Sequence, residues 1–421
     1  MKLLRSGTFW IFVGLFLGIF LGGMFPEDRF PGVHHFFQFL SKMFIGLIKG
    51  LIVPLLFSTI VVGIAQTGDI KSVGRMGAKS LLYFEVVTTI ALFLGLLVVN
   101  TMRPGDGLPL DLKAHPLTPL AKPQTGWEIV LHAFPTNLVK HAADADVLPL
   151  VVFATLFGIS LTKIASRGEP VLHFFEGIAQ TMFRYTEYVM KLTPLGVFGA
   201  MAYNVSHMAA GGGWSAVAGL LARYAKLVGC LYGSLGLLVV FVFIPVLMFT
   251  RTPILGFFRA IRDPVVMAFS TASSESALPT LLERLQKFGV PSRIAGFVVP
   301  AGYSFNLDGS TLYLVLASMT IAQAAGIQLS FGTQLLMVGT LMLTSKGVAG
   351  VPRATLVIIA ATCSGFGIPG EAGVAMLLAV DEVMDMARTA TNVTGNALAA
   401  VVIAKWEGAF GEAEPTFQSD D

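Results

Sequence analysis

The chain has 421 residues, of which 54% are hydrophobic and only 13% charged, and its mean hydropathy is +0.75. A soluble domain carries about 25% charged residues, so this composition excludes an ordinary soluble enzyme and indicates a multi-pass protein of the lipid bilayer. The net charge of +3 says little about partners and gives no reason to expect nucleic acid.

The first apolar segment runs from about Thr8 to Met24, behind Lys2 and Arg5. It is long for a signal-peptide core and no A-x-A cleavage site follows, so it reads as a span. Further spans of the ~20 residues a bilayer needs are expected near 38–66, 77–101, 147–165, 170–203 and 216–250. Lys71, Arg75 and Lys79 fall after the second span, Lys163 and Arg167 after the fourth, and Arg251, Arg259 and Arg262 after the sixth. Alternate loops are therefore basic, which places both chain ends on the cytoplasmic side. The segment 102–146 and the glycine run Gly211–Gly213 read as outside connectors.

Beyond residue 252 the apolar segments are broken. Ile254–Leu285 is interrupted by Ser270-Thr-Ala-Ser-Ser-Glu-Ser276, and Ser330–Pro369 by Ser345-Lys-Gly-Val-Ala-Gly-Val-Pro352. Irregular backbone at membrane depth survives only inside protein or beside water. Two re-entrant helical hairpins meet that condition. Each is followed by a helix, near 292–326 and about 371–406, with opposite orientation. The predicted fold is an all-α membrane protein with eight transmembrane helices and two re-entrant hairpins, arranged as the inverted repeat common in secondary transporters.

Four polar elements then converge. The first is Asp381, Asp385, Arg388 and Asn392, spaced by four, three and four, which a helix places on one face. A charge at the bilayer centre costs roughly 2.5–3.5 kcal/mol even on the lenient insertion scale. Such a stripe is better suited to handling a polar solute than to decorating a fold. Arg388 can grip a carboxylate with its two-pronged guanidinium, and Asp385 can bind an ammonium. The structural alternative is a plain Asp385–Arg388 ion pair.

The second element is Tyr303-Ser-Phe-Asn306-Leu-Asp308-Gly309-Ser310, where Asn306, Asp308 and Gly309 suggest local unwinding. Unwound carbonyls and a carboxylate are hard oxygen ligands for a cation. The third and fourth are the hairpin tips. Their free N–H groups suit anions, and Ser273, Ser274 and Ser276 add hydroxyls; Ser276 is expected only to satisfy the turn. Glu85, in the third span, and Glu275, at the first tip, are proton carriers if buried. Cys230 and Cys363 lie in separate apolar segments, and no HExxH, Walker or CxxC motif occurs. No disulfide, metal site or cofactor is expected.

These motifs carry a resemblance that covers essentially the whole chain. Ser-Ser-Glu-Ser-Ala-Leu-Pro279, Gly-Tyr-Ser-Phe-Asn-Leu-Asp-Gly309, Ser-Lys-Gly-Val-Ala-Gly-Val-Pro352 and Asp-Met-Ala-Arg-Thr389 with Asn-Val-Thr-Gly-Asn396 resemble the dicarboxylate/amino acid:cation symporter family, which includes glutamate transporters. They look most like bacterial proton/glutamate–aspartate symporters. The resemblance implies a homotrimer in the bacterial inner membrane, working as an elevator with the second hairpin as outer gate. It implies scaffold helices in 1–76, a transport-domain helix in 77–103, an outer loop and scaffold helices in 104–215, the rest of the transport domain in 216–408, and a tail in 409–421.

By match to the family motif, Arg388 would bind the substrate's side-chain carboxylate and Asp385 its amino group. Asn392 and the tip around Ser273 and Ser274 would bind the α-carboxylate. Ser310, Thr389, Gly350 and Val351 would line the site. Asn306, Asp308, Asp381 and Asn396 match polar positions around the family's sodium sites. Sodium-coupled members carry Asp where this chain has Asn396, and Tyr, Thr and Ser where it has Phe84, Val87 and Thr88. Proton-coupled members share Glu85 and Glu275. These departures favour H+ over Na+ as coupling ion and an acidic amino acid as substrate. A C4-dicarboxylate symporter is the near alternative. An ion channel fits the paired hairpins less well, and an intramembrane protease lacks a base near Ser274.

Overall fold

The computed structural model describes residues 7–50, 52–66, 70–110, 134, 136–143, 147–345 and 354–411. In chain order its helices are α1 (Gly7–Met24), α2 (Pro31–Lys49), α3 (Ile52–Gln66), α4 (Ile70–Met102), α5 (Leu138–Ala143), α6 (Val147–Lys163), α7 (Glu169–Lys191) and α8 (Thr193–Leu238). A π-helical turn, Val239–Phe243, leads into α9 (Ile244–Phe249). Then follow α10 (Ile254–Ala260), α11 (Arg262–Thr271), α12 (Ser274–Phe288), α13 (Ser292–Phe305), α14 (Asp308–Ala324), α15 (Phe331–Thr344), α16 (Ala354–Gly365), α17 (Gly370–Leu378) and α18 (Asp381–Trp406). No strand occurs among the described residues. Met76–Met102 and Thr193–Phe249 are long and apolar enough to cross a membrane.

Proline explains two departures from the expected spans. The 38–66 span is two helices, α2 and α3, because Pro54 has no N–H and its ring opposes the carbonyl of Gly50. The 170–203 span likewise divides at Leu192, with Pro194 in the first turn of α8. This leaves α7 as an amphipathic helix carrying Glu169, Arg184 and Lys191. The third span starts earlier than expected, at Ile70, so Lys71, Arg75 and Lys79 lie in helix rather than loop. Lys and Arg are good helix formers and extend it beyond its apolar part. The Gly211–Gly213 turn is a kink inside α8, where Gly212 (φ −174°) and Gly213 (φ 59°) leave helical geometry.

The helices form two groups that meet along α8, which touches α4, α14, α17 and α18. In the first, α1 and α2 lie along the start of α8. Gly14, Gly18 and Gly22 form a small-residue ridge, and a Cβ on any of them would press into the backbone of Pro194, Phe198 or Ala202. α3 packs on α6 and α7. In the second group α18 is central, touching α4, α11, α12, α13 and α14. Residues 391–404 of α18 and 308–322 of α14 are buried all round, as an interior helix must be.

The first broken segment folds as α11, a turn at Ala272 and Ser273, and α12 packed back on α11. The turn is tighter than the expected 270–276 break, because Ala272 is left-handed (φ 47°) and Ser274 already starts a helix. In the second segment α15 and α16 flank residues 346–353, so the expected tip there lies outside the described residues. Most of the 102–146 connector lies outside them too. The expected 371–406 helix is two, broken at Ala379 and Val380; Val380 (φ −123°, ψ 1°) precedes Asp381, which opens α18.

Candidate functional site

The helix over 292–326 stops at Phe305 and restarts at Asp308, with Asn306 (φ −131°, ψ 61°) and Leu307 (φ −96°, ψ 62°) extended between. A buried helix start leaves N–H groups that need acceptors. Asn392 of α18 supplies one. Its Oδ1 accepts from Gly309 N (2.8 Å) and Ser310 N (3.2 Å), and its Nδ2 donates to Ser310 Oγ (2.9 Å). Asn392 thus caps α14 from another helix, a role the stripe alone did not suggest. Gly309 makes the approach possible, since a Cβ there would meet the backbone of Arg388.

Arg388 is fully buried. Its Nη2 lies 2.9 Å from Asp385 Oδ1 and 3.2 Å from Asp381 Oδ1, and Nη1 donates to Thr355 Oγ1 at 3.0 Å. The guanidinium lies over the Tyr313 ring, 3.9 Å from its centroid, and the Tyr313 hydroxyl donates to Asp381 Oδ1 at 3.0 Å. Arg388 Nε has no acceptor among the described residues. One cation is thus held between two carboxylates, a hydroxyl and an aromatic face, with one N–H still to offer. In a low-dielectric interior each contact of such a cluster counts for more, and each missing partner costs more.

The stripe residues Asp381, Asp385, Arg388 and Asn392 are all buried, and Asp381 and Asp385 close on Arg388, while Asn392 turns to α14. Thr389 is buried beside them. Thr391 and Thr394 satisfy their hydroxyls in the interior by donating to the carbonyls of Ala387 (2.9 Å) and Ala390 (2.8 Å), one turn back in α18. Asp381 Oδ1 holds both Arg388 and Tyr313. Sequence reasoning missed Tyr313 and Thr355. Tyr313 stands three residues after Ser310, on the same helical face, and that spacing was the available signal. Thr355 had none, since it comes from α16.

Asn306, Asp308 and Asn396 form a second cluster beneath the first, each 0% exposed. Asn306 Nδ2 donates to Asn396 Oδ1 at 3.1 Å. Asp308 Oδ2 lies over Gly395, where a Cβ would collide with it, and Asn396 Oδ1 lies over Gly302 in the same way. Two glycines therefore open the room these polar groups occupy. Tyr83 and Thr88 of α4 are buried, and neither hydroxyl has a partner among the described residues.

The remaining expected site residues are less closely joined. Ser273 and Ser274 are half-buried at the first tip, where Tyr303 donates to Ser274 O at 2.9 Å. Glu275 lies in the first turn of α12, and its side chain is outside the described residues. Gly350 and Val351 are outside them as well. Glu85 is half-buried rather than buried, because α4 turns that face toward the surface between exposed Leu82 and Val86. Among the described residues no three His, Cys, Asp or Glu side chains are arranged to hold a metal ion.

A buried, charge-paired site between a broken helix and a helical turn, in an apolar all-helical chain, defines a membrane transport protein. The profile of the sodium:dicarboxylate symporter family matches residues 8–406, and the chain belongs to that family. It is 39% identical over 416 residues to the proton/sodium-glutamate symport protein of Bacillus caldotenax, covering 97% of this chain and 96% of the relative. It is 40% identical to the proton/glutamate-aspartate symporter of Escherichia coli (strain K12), at 97% and 95% coverage. It is 39% identical to the C4-dicarboxylate transport protein of Laribacter hongkongensis (strain HLHK9), at 97% and 91%. These relatives are transporters, not enzymes.

Proposed function

We propose that this protein is a symporter that imports glutamate or aspartate together with protons. The observation that carries the reading is the Asp385–Arg388 pair, buried at 2.9 Å beside a guanidinium N–H that has no acceptor among the described residues. An acidic amino acid brings two carboxylates and an ammonium. Arg388 takes the side-chain carboxylate and Asp385 takes the ammonium, so the ligand is shared between the two partners of the ion pair. Asn392 and the first tip, with Ser273 and Ser274, take the α-carboxylate; Ser310, Thr389, Gly350 and Val351 are the other proposed substrate-binding residues.

Proton coupling is supported by the second cluster. Asn306 and Asn396 are neutral amides joined by one hydrogen bond, and Asp308 is the cluster's one carboxylate among the described residues. A sodium site gains much of its strength from carboxylate charge, and the resemblance places Asp at 396 in sodium-coupled members. Glu85 and Glu275 are the proposed proton carriers. The proposed assembly is a homotrimer of elevators, with 1–76 and 104–215 as scaffold and outer loop, and 77–103 with 216–408 as transport domain.

Radiolabelled aspartate uptake into proteoliposomes, with proton and sodium gradients imposed separately, tests this reading. Uptake follows an inward proton gradient without sodium. Strict sodium dependence would overturn the coupling assignment. A C4-dicarboxylate substrate is the second reading, favoured by the Laribacter hongkongensis relative; succinate displacing aspartate at equal concentration would establish it.

A further inference from the structure

A separate polar cluster lies where the end of α1, the start of α2 and the first part of α8 meet. His34 is 4% exposed, and its Nδ1 is 3.1 Å from Ser206 Oγ. Ser206 has one hydroxyl proton and donates it to Phe25 O at 2.7 Å. The Ser206 oxygen must therefore accept from His34, which assigns a proton to Nδ1. His34 Nε2 then faces Glu27 Oε1 at 3.7 Å, while Glu27 Oε2 is 2.6 Å from His207 Nδ1.

With His34 neutral, Nε2 presents a lone pair to a carboxylate, and two acceptors face each other. A second proton, on Nε2, turns the same arrangement into a charge-assisted contact. It also sets a cation against the Tyr203 ring, whose centroid is 4.4 Å from that of His34. The other titratable or charged groups at this corner are His35, whose Nδ1 donates to Pro31 O at 2.6 Å, and exposed Asp28 and Arg29 in the α1–α2 turn. From α8, Tyr203 and His207 face His34.

We propose that Glu27, His34 and His207 form a proton-binding site outside the transport path. It fastens the α1–α2 corner to α8 when His34 is protonated on both nitrogens, and loosens that joint when Nε2 gives up its proton. Histidine is the side chain whose charge changes nearest neutral pH. Part of the pH dependence of this protein then belongs to its scaffold and not to coupling.

The test uses the full chain, purified in detergent micelles without substrate or ion gradient, so its outcome is independent of the symport reading. With 15N-labelled histidine, His34 shows N–H on both nitrogens at pH 6 and on Nδ1 alone at pH 8.5. The midpoint of thermal unfolding falls by roughly 2 °C or more over that range. Glu27→Gln flattens the fall, because its new amide donates to Nε2 at either pH, and His34→Gln removes the His34 share. A bare Nε2 at pH 6, or the same pH slope in wild type and Glu27→Gln, overturns the proposal. Should His34→Gln fail to fold, the nitrogen spectra and Glu27→Gln still decide.

Discussion

Arg388 and Tyr313 converge on one atom. The guanidinium lies 3.9 Å above the Tyr313 ring, and both side chains donate to Asp381 Oδ1, at 3.2 and 3.0 Å. The ring supports the cation from below, and Asp381 anchors it two helical turns away. Asp385 holds the same Nη2 from the other side. Arg388 is thus fixed in position by residues of its own helix and of α14.

Arg388→Lys keeps the charge but loses the planar fork and the stacking. Aspartate affinity is expected to fall at least tenfold, about 1.4 kcal/mol, measured by calorimetry on the purified protein. Arg388→Ala leaves Asp381 and Asp385 facing each other in the interior. It should destabilise the protein by about 3–5 kcal/mol, seen as a lower thermal midpoint.

Asp385→Asn removes the ammonium partner and keeps the shape. Aspartate and glutamate uptake should fall more than tenfold, while succinate competition is kept or improves. Equal losses for aspartate and succinate would assign Asp385 to holding Arg388 alone.

Asn396→Asp places a carboxylate against Asn306 Nδ2, close to Asp308. A cation is then needed to separate two buried like charges. Aspartate uptake by the variant should become stimulated by sodium, and its thermal midpoint should rise with added sodium more than that of wild type.

Gly395→Ala drives a methyl into Asp308 Oδ2. The carboxylate is buried and cannot swing into water, so the neighbours must shift. Overpacking of this kind costs about 1–3 kcal/mol. Transport should be lost with the fold retained, and Gly302→Ala should act similarly through Asn396 Oδ1. Circular dichroism beside uptake separates misfolding from a blocked site.

The broken segments show how far local pattern reaches. Asn306-Leu-Asp308-Gly309 announced an interrupted helix because amide and carboxylate side chains beside a glycine compete with helical backbone bonding and cannot face lipid. The interruption falls at Asn306 and Leu307. The breaks at Gly50 and Leu192 were passed over, because hydropathy averages across Pro54 and Pro194 while the backbone cannot. The burial of Glu85 is open from sequence, because exposure depends on which face α4 turns to its neighbours; Glu85 is half-buried.

Periodicity alone put Asp381, Asp385, Arg388 and Asn392 on one face, because helical geometry fixes neighbours three, four and seven residues apart. Composition alone placed the chain in the bilayer, where such a face must be enclosed. Only the tertiary structure brought Tyr313 and Thr355 to Arg388, committed Asn392 to the start of α14, and paired Asn306 with Asn396. Those contacts join residues 33 to 90 positions apart. They depend on how helices cross, and on the glycines at 302, 309 and 395 that let them come close, and no local spacing in the chain specifies that.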